Sequence, residues 1–254
     1  TMAAGALITR GVEATGAQVH RRIPASGEEL PVIGMGTSRT FDIGDDAGAR
    51  ARLAEVLQAF FAGGGTVIDS SPMYGAAESV TGDLLKQIRP KKVFGATKVW
   101  TDGREAGVVQ MTESARRLGT GVIDLMQIHN LLDWRVQLAT VRERQQAGKV
   151  RYVGITTSRA AQFEEFGSVM RAEKLDFIQI NYSIGEPEAA EQLLPLARDR
   201  GMATLINRPF MRSELFKRVA GKTLPGWAAE FGCESWGQVF LKWVVAHPAV
   251  TCVI

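Results

Sequence analysis

Cysteine is scarce. Cys233 and Cys252 are the only two in 254 residues, and their spacing suits neither a metal site nor a redox pair, so no disulfide framework underlies the fold. Long apolar runs are missing as well. No stretch approaches the roughly 20 residues that span a bilayer as a helix. The histidines number three, His20, His129 and His247, and they stand in unrelated settings, which argues against a histidine-built metal site. Blocks of one charge are absent too. Thirty Lys+Arg against 27 Asp+Glu leave +3, too mild and too dispersed for a nucleic-acid binder. The densest basic cluster, ArgProLysLys (89–92), reads as a solvated turn before a strand. No proline-rich or charged linker divides the chain, which points to one domain.

What is present is a repeating pattern. Eight apolar runs begin near residues 31, 66, 92, 122, 150, 175, 203 and 250. They are β-branched or continuously apolar, as strands buried on both faces are. Helical faces lie between them, such as Leu53, Val56, Leu57, Phe60 and Phe61 ahead of GlyGlyGly (63–65), and Met111, Ala115 and Leu118 ahead of Gly119. Strand and helix alternate about every thirty residues, and eight right-handed units of that kind close into a (β/α)8 TIM barrel. An open doubly wound sheet would need a glycine-rich phosphate loop after its first strand. GlyMetGlyThrSer (34–38) has neither the third glycine nor a helix start.

The expected barrel covers 29–254, and residues 1–28 form an extension. The small-residue stretch 1–17 has the composition of the end of an export signal, with AlaThrGlyAla (14–17) as the cleavage region. It equally suits a plain extension, so the expected location is cytoplasmic, or periplasmic if the signal reading holds. ThrCysValIle (251–254) reads as a strand with no segment behind it, the pattern of a fragment.

Four polar residues stand where successive strands should end: Asp69 and Tyr74 in ValIleAspSerSerProMetTyrGly (67–75), Lys98 in AlaThrLysVal (96–99) and His129 in MetGlnIleHisAsn (126–130). In a parallel barrel such positions meet at one mouth. A phenol gives up its proton more readily beside an ammonium, and the ammonium stays charged beside a carboxylate. The imidazole adds a hydrogen bond to a substrate oxygen. Together the four suit a site that polarises a carbonyl and protonates it as it becomes an alkoxide. Each also has a plain structural reading: a turn cap for Asp69, packing for Tyr74, a solvated strand end for Lys98, a core histidine for His129. Ser70 and Ser71 lack the context of a nucleophile elbow, which leaves a hydrolase unsupported.

AspSerSerProMetTyrGlyAlaAlaGlu (69–78) resembles the signature of the aldo-keto reductases, an aspartate followed five positions on by tyrosine and glycine and then by glutamate. AlaThrLysValTrp (96–100) is similar to that family's lysine strand and IleAspLeuMetGlnIleHisAsn (123–130) to its histidine strand, and the likeness runs in order from Ile33 to Ile254. The resemblance implies reduction of an aldehyde or ketone with NADP(H), Tyr74 being the general acid, Lys98 and Asp69 tuning it and His129 orienting the substrate. It also implies that Thr37, Asp69, Thr156, Gln179 and Arg208 face the cofactor, and that Met73 and Trp100 line the substrate pocket. Three departures stand out. Thr157 occupies the place of a usual asparagine, Arg208 that of a usual stacking aromatic, and the cofactor-gripping segment after the last strand is not seen, which leaves NADP against NAD open. The competing function is a cofactor-binding redox sensor or regulatory protein on the same fold. Substrate identity and oligomeric state are not encoded in any motif.

Overall fold

The structure, a computed structural model, describes residues 18–254; the stretch 1–17, open to the export-signal reading or a plain extension, lies outside the described residues. The chain first forms a hairpin of β1 (His20–Arg22) and β2 (Glu29–Pro31). There follow β3 (Met35–Gly36), α1 (Ala47–Ala62), β4 (Val67–Asp69), α2 (Ala77–Ile88), β5 (Phe94–Val99), α3 (Arg104–Leu118), β6 (Ile123–His129), α4 (Trp134–Gln146) and β7 (Val150–Thr156). The second half adds α5 (Phe163–Ala172), β8 (Phe177–Asn181), α6 (Leu193–Asp199), β9 (Ala203–Asn207), α7 (Glu214–Arg218), α8 (Trp236–Val245) and β10 (Cys252–Val253).

Strands β3 to β10 form one parallel sheet in sequence order. A parallel bridge between Ile33 and Val253 joins its two ends, with Gly34 N–H donating to the Val253 carbonyl at 2.7 Å. The result is the (β/α)8 barrel that the alternation implies. Closure depends on Gly34, because a Cβ there would lie 2.9 Å from the Ile254 side chain and 3.1 Å from that of Val67. Helix ends follow local chemistry. The Asp46 carboxylate accepts from Ala49 N–H to start α1, and Gly119 takes a left-handed φ of 70° to end α3.

Side chains alternate across each strand, so every second residue points into the barrel. The inward series changes from apolar to polar along the strands: Leu125, Gln127, His129 on β6; Tyr152, Gly154, Thr156 on β7; Phe177, Gln179, Asn181 on β8. At the N-terminal end Val67, Phe94, Tyr152, Phe177 and Leu205 pack with Ile23 and Leu30 of the hairpin, both of which are 0% exposed. The opposite faces of the strands, with Met126, Ile128, Ile155, Ile178 and Ile180, pack under the helices.

The hairpin is a feature that the sequence pattern does not announce, and the expected boundary at 28/29 falls inside it. Its strands pair antiparallel, with Arg21 opposite Leu30. It plugs the closed end of the barrel because two apolar side chains leave water there. Arg21 secures it to the far end of the chain by donating to the carbonyls of Val245 (2.7 Å), His247 (2.8 Å) and Val250.

Candidate active site

The polar layer sits at the carboxyl ends of the strands, opposite the plug. Asp69 closes β4 and Lys98 lies on the neighbouring β5, so parallel pairing alone sets their side chains next to each other. Lys98 Nζ donates to Asp69 Oδ2 at 2.5 Å and to the Ser70 carbonyl at 2.7 Å. Both side chains are withdrawn from water. Burial opposes the ammonium's charge, but the Asp69 carboxylate and then the Tyr74 phenol outweigh it and hold Lys98 above the usual lysine range.

The second oxygen of Asp69 is equally engaged. Oδ1 accepts from Gln127 Nε2 at 3.0 Å and from Gln179 Nε2 at 2.9 Å. This fixes how the Gln179 amide is turned, since a carboxylate only accepts. Its carbonyl end therefore accepts from Thr156 Oγ1 at 3.1 Å and from Asn207 Nδ2 at 3.4 Å. Gln127 belongs to the site although no motif marks it. Its signal is a glutamine inside an otherwise apolar strand, two positions before His129 and therefore on the same face.

Tyr74 lies in the turn between β4 and α2, its N–H donating to Ser71 O at 3.0 Å and its carbonyl accepting from Ala77 N–H at 3.0 Å. The Lys98 ammonium stands 5.0 Å from the centre of its ring. The His129 ring stands edge-on to it, with centroids 6.2 Å apart. Burial, the Lys98 charge and the Arg159 charge push the His129 imidazole down to about 3, so it is neutral at ordinary pH. Ser71 Oγ lies 3.3 Å from His129 Nδ1 and accepts the Met73 N–H at 3.3 Å. All four residues of the expected quartet thus gather on one rim.

The remaining expected residues are placed as follows. Thr37 is fully buried; its hydroxyl donates to the Asp69 carbonyl (3.1 Å) and lies 2.9 Å from Ser70 Oγ, whose own proton it can accept. Thr157, also buried, donates to Gln162 Oε1 at 2.6 Å. Met73 and Trp100 are exposed apolar side chains at the rim. Arg208 turns towards the β7 loop, donating to the Ser158 carbonyl at 2.7 Å and to Ser158 Oγ at 2.9 Å. Burial first and Arg212 next lower its pKa, Glu186 and Tyr74 oppose them, and Arg39 adds to the lowering. Cations therefore gather from the loops after β3 and β9. Among the described residues, every non-glycine residue with positive φ except Arg89 lies on the loops after β3, β6 or β9, so backbone strain is concentrated at this mouth.

The donor and acceptor set fits a nicotinamide dinucleotide. Asn130 Oδ1, Asn181 Oδ1 and Asn207 Oδ1 stand at or just beyond strand ends, buried and with no donor among the described residues. A carboxamide and sugar hydroxyls supply donors of that kind, and the arginines match phosphates.

Comparison with known proteins bears on the family and the fold. The sequence model of the Aldo/keto reductase family matches residues 32–254. The chain is 28% identical over 246 residues to methylglyoxal reductase YeaE of Escherichia coli (strain K12), covering 92% of this chain and 84% of that protein. It is 30% identical over 206 residues to aldo-keto reductase YhdN of Bacillus subtilis (strain 168), covering 74% of this chain and 60% of that one. An NADH-specific methylglyoxal reductase of E. coli matches at 26% over 194 residues, 64% of this chain and 57% of that one. Among solved structures, the thermostable aldo-keto reductase Tm1743 in complex with the inhibitor epalrestat superposes with a TM-score of 0.75 at 24% identity, covering 92% and 88%. A Klebsiella pneumoniae aldo/keto reductase with NADP and acetate gives 0.76 at 23% identity, covering 90% and 82%. At these identities the structural likeness speaks for the fold.

Proposed function

The chain belongs to the aldo/keto reductase family, oxidoreductases that reduce a carbonyl group at the expense of NAD(P)H, and we propose that Tyr74 delivers the proton in that reaction. A single observation carries the reading. The buried Lys98 ammonium, fixed by Asp69 at 2.5 Å, faces the Tyr74 ring from 5.0 Å at the open rim of the barrel. A cation in that place favours the phenolate left behind when the proton departs.

When bound, the nicotinamide supplies the hydride. The residues of the chain do the rest. Tyr74 and His129 converge on one substrate oxygen. His129 is neutral, and with Ser71 giving its hydroxyl proton to Nδ1, the Nε2 proton is free to hold that oxygen. Lys98 and Asp69 keep the charge beside Tyr74 constant, since neither side chain can exchange its partner for water. Met73 and Trp100 bound the substrate pocket at the rim. Thr37 braces the Asp69 carbonyl and the Ser70 hydroxyl from below. Thr156, Gln179 and Asp69 would hold the nicotinamide end of the cofactor, and Arg208 would meet its phosphates. Preference for NADP(H) over NAD(H) is supported by the arginines around the mouth.

The test is oxidation of NADPH and of NADH by the protein with a panel of aldehydes and ketones. Methylglyoxal heads the panel, because two of the relatives carry its name. Turnover with at least one carbonyl, faster with NADPH, is the expected result. Tight cofactor binding with no carbonyl reduced would favour a sensor instead.

A further inference from the structure

The signature ends on a glutamate that the chemistry above does not use. Glu78 is the second residue of α2, four positions after Tyr74, and it is wholly buried. Its Oε1 accepts a short bond, 2.6 Å, from Thr97 Oγ1. Thr97 is itself buried and immediately precedes Lys98 on β5. Successive strand residues point to opposite faces, so Lys98 projects into the barrel while Thr97 projects out to the helix layer. The same residue pair of one strand is therefore held from both sides: Asp69 grips it inside through Lys98, and Glu78 grips it outside through Thr97.

The outer grip is built with some care for distance. Gly82 lets α2 and α3 come together, since a Cβ there would lie 2.0 Å from the Arg117 carbonyl. Arg117, brought in on α3, stands 3.8 Å from Glu78 Oε2. Burial raises the pKa of Glu78 against the pull of Thr97, Ser114, Arg117 and Lys98. A buried carboxyl held by one short hydrogen bond and an ion pair at 3.8 Å is a costly way to fasten a helix, and a pair of apolar side chains would serve packing better. What it adds is a fixed length. Helix α2 continues directly from the turn that carries Tyr74, so a bond from its first turn to the residue beside Lys98 ties the phenol to the ammonium.

We infer that Glu78, acting through Thr97, is the positioning residue that sets the spacing between Tyr74 and Lys98. The inference rests on the proton-transfer role given to Tyr74 above, but its geometry stands independently of turnover.

The experiment compares wild type with Thr97→Val, Thr97→Ser and Glu78→Ala. The valine keeps the shape of threonine and removes the donor. Melting temperature, NADPH dissociation constant by fluorescence, kcat and KM for a reduced aldehyde across pH 5 to 10, and crystal structures are measured. Thr97→Val is expected to lower kcat about tenfold and to displace the pH profile of kcat, with KM and the NADPH dissociation constant within about twofold of wild type. Thr97→Ser restores both rate and profile. In the crystal, the 5.0 Å from Lys98 Nζ to the Tyr74 ring centre changes by about half an ångström or more in Thr97→Val. A Thr97→Val protein with lower melting temperature but wild-type kcat and profile would reduce Glu78 to a structural part and overturn the inference. Should Glu78→Ala fail to fold, the two threonine variants decide. Should the wild type reduce no carbonyl with either cofactor, the functional reading falls, and the crystal distance alone decides the clamp: an unchanged distance in Thr97→Val overturns it.

Discussion

Lys98 and Asp69 meet at 2.5 Å across two adjacent parallel strands, and neither side chain is more than 4% exposed. Registry puts them there: Asp69 pairs with Ala96, and Lys98 lies two residues further along the same face. A pair so placed has little solvent to fall back on, and each charge depends on the other.

Asp69→Asn is therefore expected to destabilise the protein by about 3–5 kcal/mol, because it leaves a buried ammonium without its counter-charge. Urea denaturation of the two proteins checks this. A loss below about 1 kcal/mol would mean that water reaches the pair.

His129 gives stability a particular pH dependence. An unfolded imidazole titrates near 6.5, whereas burial, Lys98 and Arg159 push this one down to about 3. Between those values the unfolded chain binds a proton that the folded chain does not. Stability contributed by the neutral ring is thus complete above about 6.5 and drains away as pH falls towards about 3. His129→Gln should flatten the dependence of unfolding free energy on pH between 4 and 6, by up to about 1.4 kcal/mol per pH unit. Parallel slopes in the two proteins would contradict the assignment.

The hairpin at the closed end should matter to stability and not to chemistry. Ile23→Ala opens a cavity against Phe94 and Phe177 and is expected to cost about 2–5 kcal/mol. The dissociation constant for NADPH should stay within about twofold, since the plug lies at the opposite end of the strands from Tyr74. A large loss of cofactor affinity in a protein that remains folded would show that the two ends of the barrel communicate.

Much of this arrangement is legible in the sequence, for a physical reason. Strands buried on both faces leave continuous apolar runs, so all eight barrel strands announce themselves. A polar residue that breaks such a run near its end is costly to bury, so Asp69, Lys98 and His129 stand out. The hairpin does not, because HisArgArg and GluLeuPro are too short and too charged to show alternation, and only their seating on the barrel explains them. Gln127 stands in no motif, because motifs mark the residues that carry chemistry and not the amides that hold them. The direction taken by Arg208 is set by Ser158 at 2.7 Å, fifty residues away, and no local pattern encodes it.

The most direct measurement of the central claim is the rate of NADPH oxidation by Tyr74→Phe with a carbonyl that the wild type reduces, alongside the dissociation constant for NADPH. Removing the phenolic oxygen should lower kcat by about 10²- to 10⁴-fold while cofactor affinity stays within about twofold. A Tyr74→Phe protein that turns over at the wild-type rate would contradict the role given to this phenol and to the lysine beside it.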